Sequence, residues 1–331
     1  MSHQTAIAAT EGVARACRVT RHVQSALDEI RTITKDDRSP VTVADYAAQA
    51  IVAHHLVGME GQHLALVGEE SSGALRENPA LARAVLSACL TVWPDAKLED
   101  VIEAIDLGNH DASGDRYWTL DPVDGTKGFL RGGQYAVSLA LIEHGEVVSG
   151  ILGCPNLSPN AEAPLDTVPP LGSLYFATRG EGARMLVAGN DPSESIPVSV
   201  QRGAANQVRL CESVEAAHSR HDDTARILKS LEETPQSVRL DSQCKYAVVA
   251  RGQADVYLRM PTRKDYVERI WDHAAGMLVA TEAGAAVTDI HGRPLDFGHG
   301  AGLEHNRGIV CAHPDFHARL IAAIETLGLA G

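Results

Sequence analysis

The sequence predicts a mixed α/β (α+β) protein built in layers, with α/β/α packing in each of two lobes. Three observations predict this. Apolar residues fill 44% of the 331 positions, the usual globular share, so the chain can bury a sizeable core. After residue 197, short apolar runs alternate with helical patterns, the order expected of an α/β lobe. Before it, long helical stretches mix with strands joined as hairpins. Aromatic residues are only 4%, so the core must rest on Ala, Val, Leu and Ile.

The elements follow in order. Residues 5–30 space Ile7, Val13, Cys17, Val23, Leu27 and Ile30 as one face of an amphipathic helix. KDDRSP breaks the pattern, and Pro40 marks a loop. VTVADYAAQAIVAHHL resumes as a helix, with Thr42 as its cap and Asp45 near its first turn. LALVGEES reads as a short buried strand (64–67) ending at Gly68, with carboxylates at its C-terminal end. Residues 79–107 are helical with a break near Trp93-Pro94. WTL (118–120) is a strand, and YAVSLALIEHGEVVSGILG is a hairpin. PNLSPNAEAPLDTVPP (155–170) is a surface loop, and GSLYFATRGEGA is a strand and turn. The polar stretch AGNDPSESIP (188–197) divides the chain into lobes 1–190 and 191–331. VRLCES, SVRLDS, ADVYLR and AAVTDI are strands. Between them lie helices over 222–232, near 244–251 and over 271–283.

Bulk properties exclude several functions. A net charge of −14 argues against binding nucleic-acid polymers, though not against a local basic pocket for a small anion. The six cysteines form no C-x-x-C pair and read as buried free thiols in a reducing compartment. The N-terminal residues show no apolar signal-peptide core, and no run approaches 18 apolar residues. The expectation is a soluble cytoplasmic protein that does not engage a membrane.

Four places carry carboxylates where a buried strand meets a turn or helix: Asp45, Glu69 with Glu70, Asp121 with Asp124, and Asp272. In WTLDPVDGTKGF, the strand delivers Asp121, Pro122 turns the chain, and Asp124 returns beside Asp121. Two adjacent carboxylates repel unless a proton or a cation lies between them, and Mg²⁺ suits such oxygen ligands. Taken alone, DPVDG reads equally well as a plain turn. GEES reads equally as a helix start, and Asp272 as an N-cap for 273–283. An EF-hand calcium loop fails on spacing, since Gly132 stands at its twelfth position, and no G-x-G-x-x-G follows a strand. Several such coincidences in one chain favour one acidic site assembled from distant segments.

At this point the motifs resemble a known family. SPVTVADYAAQ, VGEESS, WTLDPVDGTKGFLRGGQYAVSLALI, GCPNL, DSQCKYAVVARGQADVYLR and RIWDHAAGMLVATEAG span the chain from its first fifth to near its end. Together they resemble the lithium-sensitive, magnesium-dependent phosphatases that include inositol monophosphatase and fructose bisphosphatase. Within these, the chain is most similar to the 3'(2'),5'-bisphosphate nucleotidases. The inositol monophosphatase branch typically has Thr-Asn after DGT, where this chain has Lys127-Gly128, and it lacks a DSQxKY segment. The family implies a layered α-β-α-β-α sandwich of the inositol monophosphatase-like type.

The resemblance also implies roles. Glu69, Asp121 and the Val123 carbonyl match ligands of one metal ion, and Asp121, Asp124 and Asp272 those of a second. Asp45 and Thr126 match the pair that activates the attacking water. Ser242, Lys245 and Arg259 match residues on the nucleotide's non-scissile side, and His218 one beside the adenine. Lys127, Arg131, Lys245, Arg259, Arg263 and Lys264 concentrate cations in the motif segments of an acidic chain, and Lys127 is taken as a substrate contact. Asp36 and Asp37 reach toward a third ion or stand in a solvated loop.

The implied reaction is hydrolysis of adenosine 3',5'-bisphosphate to AMP and phosphate with two or three Mg²⁺ ions. 3'-phosphoadenosine 5'-phosphosulfate is a further substrate on this reading. Lithium inhibition and a place in sulfur metabolism are implied with it. The alternatives are an inositol (poly)phosphate phosphatase on the same scaffold and a non-catalytic sensor of nucleotide or metal.

Overall fold

The computed structural model describes residues 3–27, 39–203, 207–214, 220–263 and 266–330. Two mixed sheets and ten helices are present among them.

The first helices are α1 (His3–Ser25) and α2 (Ser39–Glu60), which pack on each other. α2 starts at Ser39, three residues before the expected cap, so Thr42 lies inside the helix. Pro40 sits in its first turn, where a missing N–H leaves no hydrogen bond unmade. Asp45 thereby falls on the second turn, and Gln49 lies four residues on, on the same face. α3 (Gly73–Glu77), α4 (Pro79–Leu90) and α5 (Leu98–Asp106) follow. Asn78 caps α4, its side chain accepting from the Ala80 and Leu81 amides, with Pro79 as the first helical residue.

The first sheet is a meander of seven strands: β1 (Leu66–Gly68), β2 (Arg116–Asp124), β3 (Ala136–Glu143), β4 (Glu146–Cys154), β5 (Ser173–Thr178), β6 (Ala183–Val187) and β7 (Ile196–Val198). Only the β1–β2 pair is parallel. Short helix α6 (Thr126–Leu130) interrupts the run between β2 and β3.

The second sheet has the order β11-β12-β10-β8-β9. Its strands are β8 (Gln207–Glu212), β9 (Thr234–Arg239), β10 (Val256–Arg259), β11 (Ala286–Thr288) and β12 (Ile309–Ala312). Between them run α7 (His221–Ser230), α8 (Cys244–Ala250) and α9 (Ala274–Glu282), and α10 (Pro314–Thr326) closes the chain. The expected helix 271–283 is split: Ile270–Asp272 forms a 3₁₀ turn, and α9 starts only at Ala274. β12 and α10 have no counterpart in the sequence expectations. β12 is a four-residue apolar run, too short to assign from pattern alone.

Three buried clusters define the layers. One joins α1, α2, α4 and α5 to one face of the first sheet. A second fills the space between the two sheets around α8 and α9. A third lies under α7 and α10 on the outer face of the second sheet. The result is the α-β-α-β-α sandwich. Small residues let the middle layer close up: a Cβ on Gly276 of α9 would meet Tyr246 at 2.2 Å, and one on Gly150 of β4 would meet the Ala275 carbonyl at 2.9 Å. Among the described residues no helix is long and apolar enough to cross a membrane. All six cysteines are free and buried.

Candidate active site

The carboxylates come together through strand register. β1 runs parallel to β2 with Val67 opposite Thr119 and Gly68 opposite Leu120. β1 therefore ends level with Leu120 while β2 runs on, and Glu69 emerges beside Asp121. The C-terminal ends of parallel strands are where α/β sheets commonly place ligand sites.

The turn expected at Pro122 is absent. β2 runs through Pro122 to Asp124, and the chain turns at Gly125 instead. Pairing with β3 slips here: Asp121 faces Ser138 and Asp124 faces Ala136, so three steps on β2 match two on β3. That is one extra residue, a β-bulge, where a proline without an N–H is tolerated. In a regular strand, side chains three apart point to opposite faces. The extra residue brings Asp121 and Asp124 to the same side. The Val123 amide, in the bulge, donates to Asp121 Oδ1 at 3.1 Å.

Gly125 makes the turn at φ 89°, a left-handed conformation that favours glycine. A Cβ there would also meet Ser242 Cβ at 2.8 Å. Thr126 and Lys127 follow at the exposed start of α6.

Distant segments supply the rest. Gln49 on α2 holds the turn after β1: its Nε2 donates to the Glu70 carbonyl (2.7 Å), and its Oε1 accepts from the Glu70 amide (3.0 Å). Asp45, one helical turn earlier, faces Glu70 and Glu69. The 3₁₀ turn carrying Asp272 packs against β2 and β3.

Electrostatics mark the cluster. Burial, then Glu70 and Glu69, raise the Asp45 carboxyl well above its usual range. Burial, then Glu69, Asp124 and Asp272, do the same to Asp121. Glu69 keeps an exposed edge, yet the surrounding protein and Asp272 push it up to about 7. Asp124 is pushed up to about 6 by burial and Asp272, against the pull of Lys245 and the Gln243 amide. Asp272 is raised by burial, with His273 and Arg259 opposing. Five mutually repelling carboxyl groups thus share one corner of the molecule.

Beside them opens a cavity of about 520 Å³. Asp124, Thr126, Lys127, Ser242, Lys245, Arg259 and Asp272 all line it. Ser242 stands at φ 70°, a strained conformation for a residue with a side chain, and its Oγ accepts from the Cys244 amide at 3.1 Å. Lys245 is buried, with Nζ donating to the Leu240 carbonyl (3.3 Å) and lying 5.2 Å from the Tyr257 ring centre. Burial lowers its pKa, with Asp124 opposing.

Arg259 is no solvated surface cation. Its Nε donates to Glu268 Oε1 at 2.7 Å. The other Glu268 oxygen lies 3.4 Å from His273 Nε2, and His273 Nδ1 meets the Tyr246 hydroxyl at 3.0 Å. Burial alone would raise the Glu268 carboxyl, but His273 and Arg259 hold it down to about 2. This buried chain backs Asp272, whose carboxylate lies within 4.8 Å of Glu268 and His273 ligand atoms.

The charged groups acting on Asp45 are Glu70 and Glu69. His218, Asp36, Asp37 and Lys264 lie outside the described residues. Sequence reasoning assigned no role to Gln49, Gln243, Glu268 or His273. Gln243 stands inside the quoted DSQCKY segment, and Gln49 repeats the Asp45 face at i+4. Those are the signals that were available.

The family model of the Inositol monophosphatase family matches residues 1–329. The chain belongs to the inositol monophosphatase family. Within the family it groups with the bisphosphate nucleotidases. It is 40% identical to 3'(2'),5'-bisphosphate nucleotidase 1 of Candida albicans, covering 96% of this chain and 94% of that one. Identity is 41% to 3'(2'),5'-bisphosphate nucleotidase of Emericella nidulans, over 89% and 90% of the two chains. With the Oryza sativa 3'(2'),5'-bisphosphate nucleotidase it is 39%, over 96% and 92%. Solved structures share the fold at lower identity. CysQ from Bacteroides thetaiotaomicron, a bacterial family member, superposes with a TM-score of 0.63 at 20% identity, over 93% and 97% of the chains. Inositol monophosphatase from Anabaena gives 0.61 at 19%, over 98% and 96%.

Proposed function

We propose that this family member is a Mg²⁺-dependent 3'(2'),5'-bisphosphate nucleotidase. It hydrolyses adenosine 3',5'-bisphosphate to AMP and phosphate, and accepts 3'-phosphoadenosine 5'-phosphosulfate as a further substrate. The observation that carries this reading is five converging carboxylates beside a cavity lined by two cations, the buried Lys245 and the largely covered Arg259. Similarity near 40% to nucleotidases over almost the whole chain supports it.

The donor set fits a hard divalent cation. The carboxylates raise one another's pKa, and positive charge among them relieves that repulsion. Glu69, Asp121 and the Val123 carbonyl would hold one ion, and Asp121, Asp124 and Asp272 a second. Bound Mg²⁺ supplies charge neutralisation at the phosphoryl group and acidifies a water molecule. Asp45 takes up the proton that the Thr126 hydroxyl passes from the attacking water. The water oxygen bonds to phosphorus, the 3' ester P–O bond breaks, the freed ribose oxygen takes a proton from solvent water, and Asp45 releases its own to solvent. Lys127 steers the phosphoryl end. Lys245, Arg259 and Ser242 hold the 5' phosphate, where a desolvated cation binds an anion strongly. On this reading the lobe up to residue 190 carries most metal ligands, and residues 191–331 carry the nucleotide pocket. Lithium sensitivity, a cytoplasmic location and clearance of a by-product of sulfonate transfer belong to the same proposal.

Steady-state assays over nucleotide and inositol phosphates test it. The expected result is highest kcat/KM for adenosine 3',5'-bisphosphate, dependent on Mg²⁺ and lost in Asp121→Asn. A wide margin in favour of inositol monophosphate overturns the nucleotidase reading. No Mg²⁺-dependent phosphate release from any of them overturns the enzyme reading.

A further inference from the structure

The segment after β11 carries a second group of metal-type side chains, in another loop from the carboxylate cluster. Asp296 Oδ2 lies 2.9 Å from His299 Nε2 and 3.2 Å from His305 Nδ1. The two imidazole rings are 4.1 Å apart, centre to centre. One ligand atom from each of the three residues lies within 4.8 Å of the other two.

The loop holds this arrangement from both sides. The Gly298 amide occupies Asp296 Oδ1 at 3.1 Å, leaving Oδ2 for the imidazoles. The Asp296 amide donates to Asn306 Oδ1 at 2.7 Å. Between Asp296 and His299, Phe297 is buried, and its carbonyl accepts from the Tyr117 hydroxyl at 3.2 Å. Between the two histidines, Leu303 is buried, and its amide donates to the Glu268 carbonyl at 2.8 Å. The backbone is therefore pinned on each side of the side chains, which themselves face solvent. Their exposures of 40%, 47% and 59% leave room for water ligands.

We propose that Asp296, His299 and His305 form a binding site for a borderline transition-metal ion of the zinc class. Two imidazoles and one carboxylate are a ligand set that zinc favours, with water completing the shell. Donors about 2.0–2.1 Å from a tetrahedral zinc stand about 3.3 Å from one another, close to the Asp296–imidazole spacings seen here. The imidazoles need only close on each other by about 1.5 Å at most from the 4.8 Å limit. Each imidazole would bind the ion through a ring nitrogen that carries no proton, leaving the other ring nitrogen to carry it. The carboxylate cluster offers a hard oxygen set suited to Mg²⁺, so the two sites differ in chemistry.

The loop bridges to the segment that leads into Asp272. Arg269 pairs with Gly302, and the Ile270 amide donates to the Ala301 carbonyl at 3.2 Å. An ion on Asp296, His299 and His305 thus staples the loop behind that segment.

The test is calorimetric titration of the untagged protein with Zn²⁺ in excess Mg²⁺. The expected result is one zinc ion per chain and a rise in Tm. His299→Ala and His305→Ala each weaken binding by at least about tenfold, while Asp121→Asn leaves it unchanged. Tm without zinc, unchanged in the two histidine variants, verifies their fold. Ring ¹⁵N NMR of the wild-type histidines is a readout independent of any variant, and Zn²⁺ should shift two imidazoles strongly. No zinc uptake in excess Mg²⁺, binding within twofold of wild type in the double histidine variant, or unshifted imidazoles would each overturn the proposal.

Discussion

The backbone amide of Gln243 donates to Asp124 Oδ2 across 119 residues of sequence. The same residue's side chain reaches the segment around Asp272. Its Nε2 donates to the Trp271 carbonyl at 2.8 Å, and its Oε1 accepts from the Gly276 amide at 2.9 Å. One residue therefore fixes two of the five clustered carboxylates relative to each other. Gln243→Ala keeps the contact to Asp124 and leaves the other two backbone groups without their partner. We expect about 2–3 kcal/mol lower stability by urea denaturation and about tenfold lower kcat/KM.

Lys245 faces both ways, because the cation in the nucleotide pocket also acts on Asp124. Lys245→Ala is expected to raise KM for adenosine 3',5'-bisphosphate by about 10–100-fold, the value of a charged hydrogen bond. KM for inositol monophosphate, which has no second phosphate, should stay within about twofold. Loss of the cation beside Asp124 should lower kcat for both substrates by roughly tenfold. Parallel Michaelis–Menten curves on the two substrates separate these effects. Equal KM changes would remove Lys245 from the pocket.

Gly128 follows the DGT turn where the inositol monophosphatase branch typically has Asn. Here a Cβ would stand 2.1 Å from the Gln134 carbonyl oxygen and 2.9 Å from Asp241 Oδ2. The obstruction is backbone, and Asp241 is held by Arg131, so neither neighbour yields easily. Gly128→Asn should cost about 2–4 kcal/mol, read as a lower urea midpoint with an unchanged slope. A stable variant would mean that α6 can slide away from the 132–134 turn.

Asp255 supplies a pH prediction away from the candidate site. Its carboxylate accepts from Arg209 Nη2 (2.7 Å), Arg209 Nε (3.0 Å) and the amides of Gly203 and Arg209 (both 2.7 Å). Burial would raise its pKa, but these donors hold it below the usual carboxylate range. A depressed carboxylate contributes stability that is present above its unfolded pKa and disappears as pH falls through the folded value. Asp255→Asn should therefore cost about 2–4 kcal/mol at neutral pH. The gap to wild type should shrink as pH falls below about 4, and go on closing as the folded carboxyl takes up its proton. Urea titrations of both proteins across that range check it. A gap independent of pH would assign the loss to packing alone.

Much of this molecule can be read along the chain. Helical spacing, short apolar runs and turn residues located most elements, and the motifs around Asp45, Glu69, Asp121, Asp124 and Asp272 marked the family. Such signals are local: each depends on residues a few positions apart. Four features are not local and came only with the folded chain. The bulge at Asp121–Asp124 turns both side chains to one face, because strand parity depends on the register with β3. Thr42 lies inside α2, which takes in residues 39–41 as well, rather than capping it. Lys245 is buried, and Arg259 is largely covered and paired with Glu268, because their surroundings come from other elements. Asp296, His299 and His305 meet because Phe297 and Leu303 anchor the loop in the core. Residue type and spacing determined which chemistry the chain can carry. Register, burial and long-range hydrogen bonds decided which of those groups face one another, since they depend on partners that no stretch of sequence specifies by itself.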